Sequence, residues 1–122
     1  SGDLYSKDVI TASSLGVALA GSGDVVLDIK TDSVESALSG SGDITLKGST
    51  NDLESKISGS GDFDGYNLQS ENTEVYVAGS GDAKVVSNKM LKARVSGSGD
   101  ITYRGNPEKE DTKVAGSGSI SN

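Results

Sequence analysis

The tetrapeptide Gly-Ser-Gly-Asp occurs five times, at Gly21–Asp24, Gly40–Asp43, Gly59–Asp62, Gly79–Asp82 and Gly97–Asp100. Cutting the chain before each Ser-Gly-Asp gives the units Ser1–Gly21, Ser22–Gly40, Ser41–Gly59, Ser60–Gly79, Ser80–Gly97 and Ser98–Gly116, each 18 to 21 residues long. A short stub, Ser117–Asn122, follows them. A repeat of this length cannot bury an apolar face by itself and must stack on its neighbours, so the chain reads as a solenoid.

Within each unit the apolar residues alternate, which predicts strands and excludes amphipathic helices. The residue after each Asp is Leu4, Val25, Ile44, Phe63, Ala83 or Ile101, and two positions on stand Leu27, Leu46, Val85 and Tyr103, with Ser6 and Gly65 as exceptions. Two before each closing Gly stand Leu19, Leu38, Ile57, Val77, Val95 and Val114. Further back the inward row includes the small residues Ser36, Ser55 and Ala93, which predicts a flattened coil with two sheets facing each other across a narrow interior. Each unit therefore reads as strand, polar bend, strand and Gly-Ser-Gly corner, with the variation in length expected in the bend, where loops tolerate it. Rungs about 4.8 Å apart make six coils a column of roughly 29 Å. The fold class predicted is all-β: one single-stranded right-handed parallel β-helix spanning 1–122. Because the chain opens inside a repeat, it is expected to be the C-terminal repeat part of a longer precursor.

Gly supplies positive φ at a sharp corner, and Ser and Asp side chains can accept from nearby backbone N–H groups. Stacking should align Asp24, Asp43, Asp62, Asp82 and Asp100 in one column. Neighbouring carboxylates at rung spacing repel by roughly 0.9 kcal/mol in water, and a side chain-to-backbone hydrogen bond offsets about 1 kcal/mol. A turn role is thus physically adequate without a ligand.

Composition removes several function classes. Without His or Cys, Ser-His catalysis, His- or thiolate-bound zinc and disulfides are excluded. A net charge of −7 disfavours nucleic acid as a partner. No apolar stretch approaches the roughly 18 residues of a membrane helix.

Serial Ser-Gly-Ser-Gly-Asp units, the stretch "ITLKGSTNDLESKISGSGD" and the ending "RGNPEKEDTKVAGSGSISN" resemble the putative auto-transporter adhesin, head GIN domain family, formerly a domain of unknown function. The resemblance covers the whole chain. It implies a β-helix similar to that of pectate lyases, with Gly-Ser-Gly at the tight turns. It also implies a bacterial protein exported to the periplasm, outer membrane or cell surface, sometimes as a lipoprotein, with a role in cell adhesion and a trimeric assembly. No catalytic residue comes with the family, so no catalytic, cofactor-binding or metal-binding residue is assigned and no cofactor is expected. The function expected is a non-catalytic adhesin or envelope interaction module. The partner expected is a surface protein or glycan, with a homo-oligomer (a trimer or an end-to-end dimer) as a further option. The alternative is a carbohydrate- or cation-binding envelope module.

Repeat-in-toxin calcium solenoids carry G-G-x-G-x-D about every nine residues; here Gly and Asp are adjacent and recur once per coil, so the spacing fails. Asp64, Lys84 and Thr102 share an outward position with Val26 and Thr45, but this row changes character at each rung, unlike the paired carboxylates of a glycosidase. The Gly-Ser-Gly runs lack the Lys-Ser/Thr ending of a phosphate loop. Tyr5, Tyr66 and Tyr76 are the candidates for a sugar-binding surface, although they do not occupy equivalent positions. The segment from Asn106 to Lys113, with Pro107 in the bend and Glu110 in an apolar slot, reads as a polar C-terminal cap or a solvated loop.

Overall fold

The structure, a computed structural model, describes residues 4–5 by their backbone and residues 9–121 in full. The first Ser-Gly-Asp and Ser6 lie outside the described residues, as does the side chain of Tyr5. Ten strands follow in order: β1 (Leu4–Tyr5), β2 (Ile10–Gly21), β3 (Asp24–Gly40), β4 (Asp43–Gly59), β5 (Asp62–Gly79), β6 (Asp82–Val86), β7 (Met90–Gly97), β8 (Asp100–Arg104), β9 (Lys109–Gly116) and β10 (Ser119–Ser121). All pairings are parallel, and each strand pairs with its equivalent one coil away. The chain is a β-solenoid of about six turns.

The alternation places its rows as expected. Val25, Ile44, Phe63, Ala83 and Ile101 are buried on the first flank, and Leu38, Ile57, Val77 and Val95 are buried on the second. These rows join one hydrophobic cluster inside the coil. The small slots Ser36, Ser55 and Ala93 are buried too, and the Ser36 hydroxyl donates to Ser55 Oγ at 3.1 Å. At the last coil the inward row is uncovered: Glu110, Thr112 and Val114 are exposed.

Two expectations about the bend need correction. Each of β3, β4 and β5 runs without a break from corner to corner, so the two flanks are parts of one wound sheet and not separate sheets. The reason is a second inward column, Thr31, Thr50 and Ser70, all buried. Thr31 Oγ1 donates to Thr50 Oγ1 at 3.1 Å. Thr50 Oγ1 donates to the Asp52 carbonyl at 3.1 Å, and Ser70 Oγ donates to the Asn72 carbonyl at 3.0 Å. Hydroxyls bonded in this way let the backbone turn while its ladder continues. Among the coils described in full, from β3 on, the ladder breaks at the bend in the last two, between β6 and β7 and between β8 and β9. The second correction concerns length. The extra residue of the fourth unit lies in the first flank, where the register slips between Thr45 and Lys47 opposite Gly65 and Tyr66. A β-bulge of this kind re-aims a side chain, and it leaves Tyr66 on the surface, half-buried.

Asn106 to Lys113 is neither wholly loop nor wholly strand. Pro107 sits in the bend, and Lys109–Gly116 forms β9, paired with β7 with Glu110 opposite Leu91. Tyr103, inward and buried, donates its hydroxyl to Glu110 Oε1 at 2.8 Å.

Candidate functional site

The corner is built first from backbone. The N–H groups of Ser60 and Gly61 both donate to the Gly40 carbonyl, each at 3.0 Å, and the same pair of bonds recurs one coil later from Ser80 and Gly81 to Gly59. The first glycine of each corner has positive φ, +106° at Gly40 and Gly59. The second glycine is buried. A Cβ on Gly61 would collide with the Gly42 carbonyl oxygen and approach Leu38 Cδ2 to 2.8 Å. Neither glycine can therefore be exchanged, for two different reasons: conformation at the first and close stacking at the second.

The corner carboxylates form one column, with Asp24 opposite Asp43, Asp43 opposite Asp62, and Asp82 opposite Asp100. Asp43, Asp62 and Asp82 each accept from the backbone N–H of the next coil's Asp: Asp62 N–H to Asp43 Oδ1 at 3.3 Å, Asp82 N–H to Asp62 Oδ1 at 3.2 Å, and Asp100 N–H to Asp82 Oδ1 at 3.2 Å. The series continues with Ser119 N–H and Oγ to Asp100 Oδ1, both at 3.0 Å. The side chains thus tie coil to coil at the place where the strands turn. Among the described residues, no group of three or more acidic side chains could hold a metal ion.

The outward row Val26, Thr45, Asp64, Lys84 and Thr102 is one column in the register, and it gathers no pair of carboxylates. Tyr66 stands beside it with its ring 4.1 Å from the Arg104 guanidinium and 5.8 Å from Lys84 Nζ. Tyr76 lies on the other flank, 6.0 Å from Lys56 Nζ, with its hydroxyl on Glu74 Oε2 at 3.4 Å. The structure does not bring these two tyrosines together.

A groove opens on the outer face of the second flank, which the sequence reading did not single out. Residues three before each closing Gly stack there as Ala18, Ala37, Lys56, Tyr76, Arg94 and Lys113. Beside them runs a column of small residues, Ala20, Ser39, Ser58, Ala78, Ser96 and Ala115. Long side chains next to short ones leave an open groove of about 1050 Å³ floored by Ser58, Ala78, Ser96 and Ala115 and walled by Lys56, Tyr76, Arg94 and Lys113. Arg94 is fixed by Asp111, Nη2 to Oδ2 at 2.8 Å, and donates Nη1 to the Asp111 carbonyl at 2.9 Å. The side-chain hydrogen bond between them is the main cause that raises the pKa of Arg94 and lowers that of Asp111; desolvation opposes it, and the attraction of the two charges adds to it. On the far side of the same face Glu35, Asp52, Glu54 and Glu74 line a smaller groove of about 360 Å³. The recurrence three residues before each Gly is visible in the sequence, but its members, from Ala to Lys to Tyr, share no chemistry that marks a face.

The family described as "Putative auto-transporter adhesin, head GIN domain" matches residues 1–107, and the chain belongs to it. Among solved structures, a putative adhesin from Bacteroides fragilis is similar at 26% identity with a TM-score of 0.95, over 98% of this chain and 56% of its own. A putative lipid binding protein from Parabacteroides distasonis is similar at 30% identity with a TM-score of 0.94, over 98% of this chain and 50% of its own. A putative adhesin from Parabacteroides merdae is similar at 26% identity with a TM-score of 0.94, over 98% of this chain and 50% of its own. The chain thus spans about half the length of the solved structures it matches. No curated protein matches it.

Proposed function

We propose that this member of the head GIN domain family is a non-catalytic adhesion module of the bacterial cell envelope, and that it binds through the outer face of its second flank. The observation that carries this reading is the grooved face itself. A rigid ladder fixes a row of long, charged and aromatic side chains beside a floor of small ones, as binding surfaces on rigid elements require. The family and the structures named as adhesins support an adhesive role at the cell envelope or surface.

A non-catalytic role is supported by where the polar groups sit. The buried polar residues among those described are all hydroxyls: Thr31, Ser36, Thr50, Ser55, Ser70, Thr73 and Ser87. Among the described residues no carboxylate or amine is held in the buried setting that tunes catalytic acids and bases. No cofactor or metal enters the reading, because the corner carboxylates are used to join coils. No helix among the described residues is long and apolar enough to cross a membrane. The partner is a surface protein or glycan.

The test compares cells that display the domain with cells that do not, for attachment to protein-coated and glycan-coated surfaces and to one another. Attachment that depends on the domain and is weakened by Tyr76→Ala together with Arg94→Ala is expected. Equal attachment with and without the domain would overturn the reading.

A further inference from the structure

The same face carries a second pattern, which names a partner; this inference rests on the adhesive reading above. Its charges are segregated along the solenoid. β3, β4 and β5 contribute Glu35, Asp52, Glu54 and Glu74, relieved only by Lys56. β7 and β9 contribute Lys92, Arg94, Lys109 and Lys113 against the single acid Asp111, which is already engaged by Arg94. A chain of net charge −7 therefore concentrates cations on the last two coils of one flank, beside an acidic patch on the preceding three.

We propose that this face binds a second copy of the same chain, packed face to face about a two-fold axis that lies in the plane of the contact, across the solenoid axis and along β5. An isologous contact requires a self-complementary surface. This axis brings Glu35 of β3 and Asp52 and Glu54 of β4 in each copy over β9 and β7 of the other, where Lys92, Arg94, Lys109 and Lys113 stand, so each charge match is made twice. The shapes allow close approach. Gly16, Ala18, Ala20, Ala37 and Ser39 leave the first coils of the face low, and the ridge of Tyr76, Arg94 and Lys113 stands above them. The area suffices. With the axis along β5 five rungs overlap, and at about 4.8 Å by about seven residues at roughly 3.3 Å they give about 550 Å² per copy, or about 1,100 Å² in total, the size of a weak, transient contact. With few apolar side chains on the face, charge dominates the contact, so the dimer is weak and salt-sensitive. Between cells displaying the domain, such a contact is homophilic adhesion.

The test is sedimentation of the purified chain over a range of concentrations at low and high salt. A dimer is expected at low salt, with its dissociation constant rising about tenfold or more at several hundred millimolar salt. Two variants decide the surface: Glu35→Lys with Glu54→Lys, whose face becomes net basic, and Lys92→Glu with Lys113→Glu, whose face becomes net acidic. Each alone should be monomeric, and a mixture of the two should form the heterodimer. Heterodimer formation also shows that both variants are folded. A monomer at low salt and high concentration, a dimer that survives either pair of reversals, or a mixture of folded variants that stays monomeric would overturn the proposal; circular dichroism reports the folding in that last case. A monomer in solution with cells that still attach to coated surfaces defeats this inference and leaves the adhesive reading standing. A charge-matched dimer without any attachment defeats the adhesive reading instead.

Discussion

Every coil turns at least twice, and the two turns solve the same problem with different chemistry. The Gly-Ser-Gly corner is closed by backbone: consecutive N–H groups converge on one carbonyl of the coil below, and the second glycine packs so closely on that coil that no Cβ fits. The bend is held by side chains, the hydroxyls of Thr31, Thr50 and Ser70, with a positive-φ glycine at only some coils, Gly48 and Gly105. A corner made of backbone contacts has no tolerance, so its sequence repeats almost unchanged. A bend made of side-chain bonds has alternatives, so its sequence drifts and, in the last two coils, its ladder opens into short connections. Invariance of a motif within one chain can thus arise from packing alone, without a ligand.

The comparison can be broken most forcefully at the corner. Gly61→Ala sets a Cβ against the Gly42 carbonyl and Leu38, and since backbone cannot yield as a flexible side chain does, it should cost about 3 kcal/mol or more in denaturant unfolding. A loss under about 1 kcal/mol would mean that the corner is more forgiving than its geometry. At the bend, Thr50→Val removes the acceptor of Thr31 and the donor to the Asp52 carbonyl, with an expected loss of about 1 to 2 kcal/mol. An equal loss at both sites would erase the distinction between the two turns. Inserting two Gly-Ser residues between Gly105 and Glu108, in the open connection of the last bend, should change stability by about 0.6 kcal/mol or less; the same insertion at Ser60 should prevent folding.

The smallest effect is expected on the flank that joins the two turns. Asp111 has its pKa depressed chiefly by its hydrogen bond to Arg94. Its contribution is therefore fully present above the unfolded carboxylate value of about 3.9 and is lost as pH falls through the lower folded value. Melting curves of the parent and of Asp111→Asn should differ slightly at neutral pH and converge in acid. A gap that widens on acidification would contradict the sign of that coupling.

The architecture was legible because it rests on local rules. The alternation around Val25 and Leu27, and around Val95, marks inward positions whatever the loop lengths are, and a glycine pair at a fixed interval marks a corner. The continuation of the inward row through Ile29 to Thr31 was equally visible in "DVVLDIKT", yet the polar Thr disguised a buried position as a loop. The bulge at Gly65 and Tyr66 was not legible, since an extra residue in a unit of variable length does not say where it is accommodated. The binding face was hidden for a different reason. Lys56, Tyr76, Arg94 and Lys113 are ordinary surface residues in sequence, and they become a wall only when four coils are set in register. Pairing of side chains across coils, such as Arg94 with Asp111, requires coordinates.

The central claim is that Gly-Ser-Gly-Asp is a device for turning and joining coils, and that binding belongs to the sheet face. The most direct measurement is a calorimetric titration of the protein with calcium, paired with melting temperatures with and without EDTA. The account predicts no binding in the micromolar range and no change in melting, because each Asp from Asp43 to Asp100 already bonds to the coil above it. Micromolar calcium binding together with a melting point lowered by EDTA would show the Asp column to be a metal ladder and would contradict the account.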